Sequence, residues 1–208
     1  MNKPILYVED TYDQIYKISY LKLNNIIIDE NNFEEEFKKH APFTIRRGES
    51  AGRLSSRMRV YNHDGYEDKK IIGVYDFDKE GREQIHHLKK EPFWNDDYYG
   101  TKKDGFYRKR NDHDCFFALL LPIPERLTSL ADLEWPDFAS YVEIENLLPE
   151  EFLTNNSYAV KRKIPGGNFL EVKKSAKSKL WKKLFDLDKN DFKDFEQLFN
   201  QIKKFVKE

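Results

Sequence analysis

Short apolar runs, each cut off by acidic or glycine-rich residues, recur along the first 125 positions. "PILYV" (Pro4 to Val8), "FTIRR" (Phe43 to Arg47), "IIGVYDFD" (Ile71 to Asp78) and "CFFALLLPIP" (Cys115 to Pro124) have strand length and read as strands one to four. Between them the apolar residues change to helical spacing. Ile15, Ile18 and Leu21, with Tyr16 and Tyr20, predict a helix after strand one that stops at Asn24 and Asn25. "IIIDENNFEEEFKKHAP" predicts a short apolar piece and an acidic helix, "ESAGRLSSRMRVY" a helix starting near Gly48, and "KEGREQIHHLKK" a helix after strand three. "HDGYEDKK" reads as a turn. Glu91 to Asp114, rich in Gly, Asp, Lys and aromatic residues without a clear period, reads as a loop or irregular insertion.

Strands alternating with helices predict an α/β fold with a mainly parallel sheet flanked by helices. In such sheets ligands bind beyond the carboxyl ends of the strands. Two acidic clusters, "VEDTYD" and "YDFD", follow strands one and three immediately, so both fall on that edge. The C-terminal third differs. "WPDFASYVEIENLLPEEF" carries Glu143 and Glu145 between apolar residues, Lys161 to Lys183 holds nine Lys or Arg against one acid, Glu171, and "FKDFEQLFNQIKKFVKE" has the spacing of an amphipathic helix packed on the sheet. The chain therefore divides into a core over 1–125, with its insertion near 91–114, and a C-terminal part over 126–208 that ends in a helical extension.

Composition narrows the classes. The 208 residues are 35% charged and 15% aromatic, which indicates a soluble protein whose core uses Phe and Tyr. A single cysteine, Cys115, excludes an internal disulfide framework and a cysteine-rich zinc site; it reads as a small buried residue. No basic leader precedes a long apolar run, and no run approaches the roughly 20 residues that span a bilayer. The expectation is a cytoplasmic protein without a membrane partner. The net charge of −1 conceals segregated acidic and basic segments.

The aspartates of "GVYDFDKEG" admit two explanations. Asp and Gly make turns, and one aspartate can cap the following helix by accepting from its free N–H groups. Alternatively, Glu9, Asp13, Asp76 and Asp78 gather as four carboxylates, a conflict that a hard divalent cation relieves. Oxygen-only ligands select Mg²⁺ or Mn²⁺. "RRGESAGRLSSRMR" offers Arg46, Arg47, Arg53 and Arg57, and Lys173, Lys174 and Lys179 crowd a second basic stretch. Such blocks are commonly solvated faces, yet beside a carboxylate cluster they make a phosphate track, which implies nucleic acid as partner. The rings of "FWNDDYYGTKKDGFY" are suited to stacking on unpaired bases. Asp10 reads as a turn or solvent position, and His86 and His87 as surface or packing residues.

In order along the chain, Glu9 with Asp13 four residues on, the D-x-D of Asp76 and Asp78, and the "E-N" of "VEIENLLP" resemble the Toprim domain of overcoming-lysogenization-defect nucleases and their stand-alone relatives. The resemblance spans roughly Ile5 to Lys183, through short motifs that are specific only in their order. It departs at Asp10, where the family carries glycine. The resemblance implies a Toprim-like, Rossmann-like fold and a metal-dependent nuclease of DNA or RNA, with one or two Mg²⁺ or Mn²⁺ ions in a two-metal-type mechanism and phage defence as a setting. It also implies that Glu9 moves a proton, that Glu145 or Glu143 completes the metal site, and that a lysine on a following helix is catalytic. Lys177 fits that lysine because it shares the face of Leu180 and Trp181, with Lys173 and Lys174 next in line; its plainer role is to snorkel from the core edge. A separate ATPase subunit is the implied partner in one alternative, a Toprim-like binding subunit. A receiver-like signalling module, suggested by "ILYVED", is the other, although Asp76 follows Glu9 by 67 residues, as half of a pair, where a receiver has a lone aspartate some 45 residues on.

Overall fold

The apolar runs pair into a five-stranded sheet of order β2-β1-β3-β5-β4, comprising β1 (Ile5–Val8), β2 (Thr44–Arg47), β3 (Ile71–Tyr75), β4 (Tyr107–Lys109) and β5 (Phe116–Leu120). The structure is a computed structural model and describes residues 3–9, 12–60, 69–111, 115–128, 142–164 and 167–207. Asp10, most of the turn read at 63–70 and the stretch 135–141 lie outside the described residues.

β2, β1, β3 and β5 run parallel, and β4 joins the edge antiparallel to β5. β1, β3 and β5 are buried along their whole length, as strands covered on both faces require. Helices α1 (Gln14–Leu23) and α2 (Phe33–His40) lie between β1 and β2, α3 (Ala51–Val60) between β2 and β3, and α4 (Lys79–Leu88) follows β3. The fold is α/β with a mostly parallel sheet flanked by helices. The two helices between β1 and β2, with α3 after them, fill the long interval from Glu9 to Asp76.

The insertion is not wholly irregular. It contributes β4, together with single bridges Trp94–Arg110 and Tyr99–Tyr107. The basic C-terminal stretch holds an antiparallel hairpin, β6 (Ala159–Ile164) and β7 (Gly167–Val172), preceded by α5 (Glu150–Asn155) and followed by α6 (Lys174–Leu180). The last helix, α7 (Glu196–Lys207), buries Leu198, Phe199, Ile202 and Phe205. Phe205 stacks on Phe117 of β5 with ring centroids 4.3 Å apart, and Phe199 meets Tyr20 of α1 edge-on at 5.2 Å. Lys70 donates to the carbonyls of Phe205 and Val206 and so caps the last turn. One hydrophobic core thus unites the sheet with the C-terminal elements.

Candidate functional site: an acidic edge at the switch point of the sheet

From β1 the chain passes to β2 on one side, while β3 lies on the other and leads to β5. The carboxyl ends of β1 and β3 therefore flank the point at which an open α/β sheet reverses its order, where a crevice forms outside the strands. Glu9 leaves β1 there, and Asp76 and Asp78 leave β3.

Glu9 continues the ladder, its N–H donating to Val74 O at 3.0 Å, and its carboxylate Oε2 accepts from the Asp76 N–H at 3.0 Å. The N–H of Ala51, at the start of α3, is a second donor to it. Burial nevertheless dominates. With the negative charges of Asp78 and Glu80 acting in the same sense, it pushes the Glu9 carboxyl up to about 8.

Asp78 is the N-cap of α4, its Oδ1 accepting from Gly81 N–H at 2.7 Å. A side chain at position 81 would collide with the Asp76 carbonyl, which fixes glycine there. The capping explanation of the D-x-D is thus realised in Asp78, without using up its charge. Burial, then the charges of Glu143 and Glu80, raise its carboxyl above the ordinary range, against the Gly81 N–H. Asp76 is 8% exposed, and its Oδ1 accepts from Ile144 N–H at 3.1 Å.

Phe77 reaches Val142 through a two-way backbone bridge (2.9 and 3.3 Å), which lays the "VEIEN" segment against the D-x-D. Glu143 then begins a 3₁₀ turn over Ile144–Leu147, where Asn146 Oδ1 accepts from Glu143 N–H at 2.9 Å and Asn146 Nδ2 donates to Leu170 O of β7 at 2.8 Å. The asparagine of the "E-N" pair thereby fastens the acidic turn to the hairpin. Glu145 is fully buried, and Lys177 Nζ lies 3.0 Å from its Oε1 and 2.9 Å from Glu143 Oε2. Lys177 points inward from α6 to the carboxylates, as its helical face predicts. It is neither the free snorkelling residue nor, in this arrangement, an unengaged one.

The Asp13 carboxylate is paired with Lys17 Nζ at 2.7 Å and Arg47 Nε at 2.8 Å, and Lys17 is shared with Glu34 at 2.7 Å. Arg46 reaches Tyr7 Oη at 3.4 Å. Arg53 and Arg57 both pair with Glu49, whose backbone is left-handed at φ 77° directly after Gly48. A Cβ at Gly48 would come within 2.7 Å of Val8 O, so glycine is needed where β2 closes on β1. Lys173 donates to Ser157 O at 3.0 Å, and Lys174 and Lys179 are exposed on α6.

Sequence reasoning missed Arg82. One turn after Asp78, its guanidinium carbon sits 5.4 Å from the Phe77 ring centroid, and the i, i+4 spacing was the available signal.

Among the described residues, no group of three or more His, Cys, Asp or Glu stands arranged to hold a metal ion. In kind the donors fit a hard divalent cation, being oxygen-only, and at Glu9 and Asp78 burial first and neighbouring negative charge after it raise the carboxyl above its ordinary range. In placement they form Glu9, Asp76 and Asp78 on one side, with Glu143 and Glu145 around the Lys177 ammonium on the other. No helix among the described residues is long and apolar enough to cross a membrane. Comparison with family models, curated proteins and solved structures finds no match to this chain.

Proposed function

We propose that the chain is a Toprim-like, metal-dependent nuclease that hydrolyses phosphodiester bonds in DNA or RNA. The observation that carries this reading is the collection of carboxylates from three separate segments, after β1, after β3 and in the 142–147 turn, at the switch point of a parallel sheet. Acidic side chains are costly to gather and half-bury without a cationic ligand. Glu9, Asp76 and Asp78 would hold Mg²⁺ or Mn²⁺ once drawn closer together than they stand here, with Glu143 or Glu145 as further donors on release from Lys177. The ion would activate water and offset charge on the phosphate.

The chain's own residues have distinct parts. Without metal, burial and the Asp78 charge hold the Glu9 carboxyl up to about 8, so a cation bound there would displace its proton and leave the carboxylate able to accept one during the reaction. Asp76 and the Ile144 N–H fix the acidic turn beside the D-x-D. Lys177 holds Glu143 and Glu145 and is placed to neutralise charge on a phosphate when Glu143 turns away. Arg46, Arg47, Arg53 and Arg57 flank the edge on β2 and α3 as a phosphate track, and Lys173, Lys174 and Lys179 supply a second basic face.

The engagement of Lys177 with both glutamates favours one second reading, in which a partner such as an ATPase subunit must rearrange the site before it acts. A receiver-like phosphoacceptor role for Asp76 is disfavoured, because its carboxylate is buried and already accepts a backbone hydrogen bond. The test is incubation of purified protein with plasmid, single-stranded DNA and transfer RNA in Mg²⁺, Mn²⁺ or EDTA. Metal-dependent cleavage of any of them supports the nuclease; none, with and without a cognate ATPase, rejects it.

A further inference from the structure

Two large aromatic rings of the insertion stay exposed although each is backed by a buried guanidinium. Tyr98 is 40% exposed and Phe93 48%. The Arg108 guanidinium carbon lies 3.9 Å from the Tyr98 ring centroid, and that of Arg110 lies 5.4 Å from Phe93 and 4.7 Å from Phe116. Arg108 is itself 1% exposed, and its Nη1 donates to the carbonyls of Asn95 and Asp96 at 2.6 Å each. Its Nε has no hydrogen-bond partner among the described residues. A charge buried in this way holds its position, and the tyrosine ring sits over it, with Phe106 against its edge at 6.2 Å. The result is a rigid aromatic surface with a cation beneath and solvent above.

Its location is informative. The Arg82 guanidinium lies over Phe77, the residue between Asp76 and Asp78, with its carbon 5.4 Å from that ring's centroid, and its charge is felt at the Tyr98 phenol. A tyrosine whose sole task was to cover Arg108 would not need a free face. An unpaired base would use it, gaining stacking on the ring and attraction to the guanidinium behind it, whereas a base inside a duplex has both faces occupied. We propose that the outer face of Tyr98 is a stacking platform for an unpaired base of single-stranded nucleic acid, set beside the D-x-D so that the adjoining phosphate reaches the acidic edge. This rests on the nucleic-acid reading above and narrows it to single strands or single-stranded junctions. Arg82, partly exposed, supplies a cationic complement to the backbone that such a strand carries.

Binding is measured apart from cleavage, by fluorescence anisotropy of a labelled thymidine oligomer in EDTA and again in Ca²⁺. The probes are that oligomer, a duplex of equal length and an abasic oligomer of the same backbone. The proposal expects the oligomer to bind tighter than the duplex and the abasic strand to bind more weakly. Tyr98→Leu, which keeps an apolar cover on Arg108, should lose about 5- to 100-fold in affinity, and Tyr98→Phe should keep nearly all of it. Equal binding of the normal and abasic oligomers by the unaltered protein overturns the platform, whatever the variants do. Unchanged affinity in Tyr98→Leu overturns it too, and cleavage by the unaltered protein then leaves the nuclease reading standing. Absence of binding to every probe also overturns it.

Discussion

Replacing Lys177 by Met removes the cation between Glu143 and Glu145 while keeping most of the stem. Glu145 has no exposed surface, and the ammonium stands 3.0 Å from it. Deleting one partner of a buried pair costs about 3–5 kcal/mol, because the remaining charge is left in a poor solvent. Lys177 is itself 20% exposed and Glu143 38%, so water reaches this end of the cluster and the lower figure, about 3 kcal/mol, applies. At about 2–4 °C per kcal/mol for a chain of this size, the midpoint should fall by roughly 6–12 °C. The assay is thermal and urea denaturation of four proteins: the natural chain, Lys177→Met, Glu145→Gln and the double variant. Removing the carboxylate charge should recover much of the loss, giving a coupling of about 2 kcal/mol or more. Lys179→Met, exposed on the same helix, should change stability by less than about 0.5 kcal/mol. A Lys177→Met variant within about 0.5 kcal/mol of the natural chain would refute the pairing of Lys177 with Glu145.

Two further outcomes follow from the same geometry. Glu9 has an ordinary value of 4.5 and a folded value of about 8, so without metal the folded state holds a proton that the unfolded state releases across that window. Its contribution is therefore most favourable below 4.5 and is lost as pH rises towards 8, on the order of 1 kcal/mol per pH unit. Glu9→Gln should make this slope shallower, leaving only what Asp78 contributes, in denaturation profiles recorded in EDTA from pH 5 to pH 8; an identical slope in both proteins would place the titration elsewhere. Arg53→Ala with Arg57→Ala should flatten the salt dependence of nucleic-acid affinity by up to about 0.9 per lost phosphate contact, and an unchanged slope would leave these arginines as partners of Glu49 only.

The parts of the fold that depend on burial were legible. β1, β3 and β5 are apolar runs because both faces are covered, and α7 announces itself because one stripe of it is buried against the sheet. β4 was hidden because it is three residues long and shows no apolar alternation, taking its place from pairing with β5. The β6–β7 hairpin was hidden for a related reason: Lys161, Arg162 and Lys163 are all exposed, so two-residue periodicity is absent. At the site, Glu9, Asp76 and Asp78 could be placed on one edge because each directly follows a buried strand. The Arg47 partner of Asp13 could not, since it comes from β2, 34 residues later. Nor could the complete burial of Glu145, which depends on a lysine arriving from α6. Local pattern reports which residues face the core; it does not report which distant charge will meet which.

The central claim, that the acidic edge of β1 and β3 serves a metal-dependent nuclease, is tested most directly by cleavage with the Asp76→Asn and Asp78→Asn proteins. Asparagine caps a helix about as well as aspartate and can still accept a backbone hydrogen bond, so the α4 cap and the Ile144 contact should survive. Only the charge is removed. With plasmid, single-stranded DNA and transfer RNA in Mg²⁺ or Mn²⁺, the natural chain should cleave at least one substrate and stop in EDTA, and the double variant should fall by orders of magnitude while remaining folded. Equal cleavage by the double variant, or undiminished cleavage in EDTA, would contradict the account.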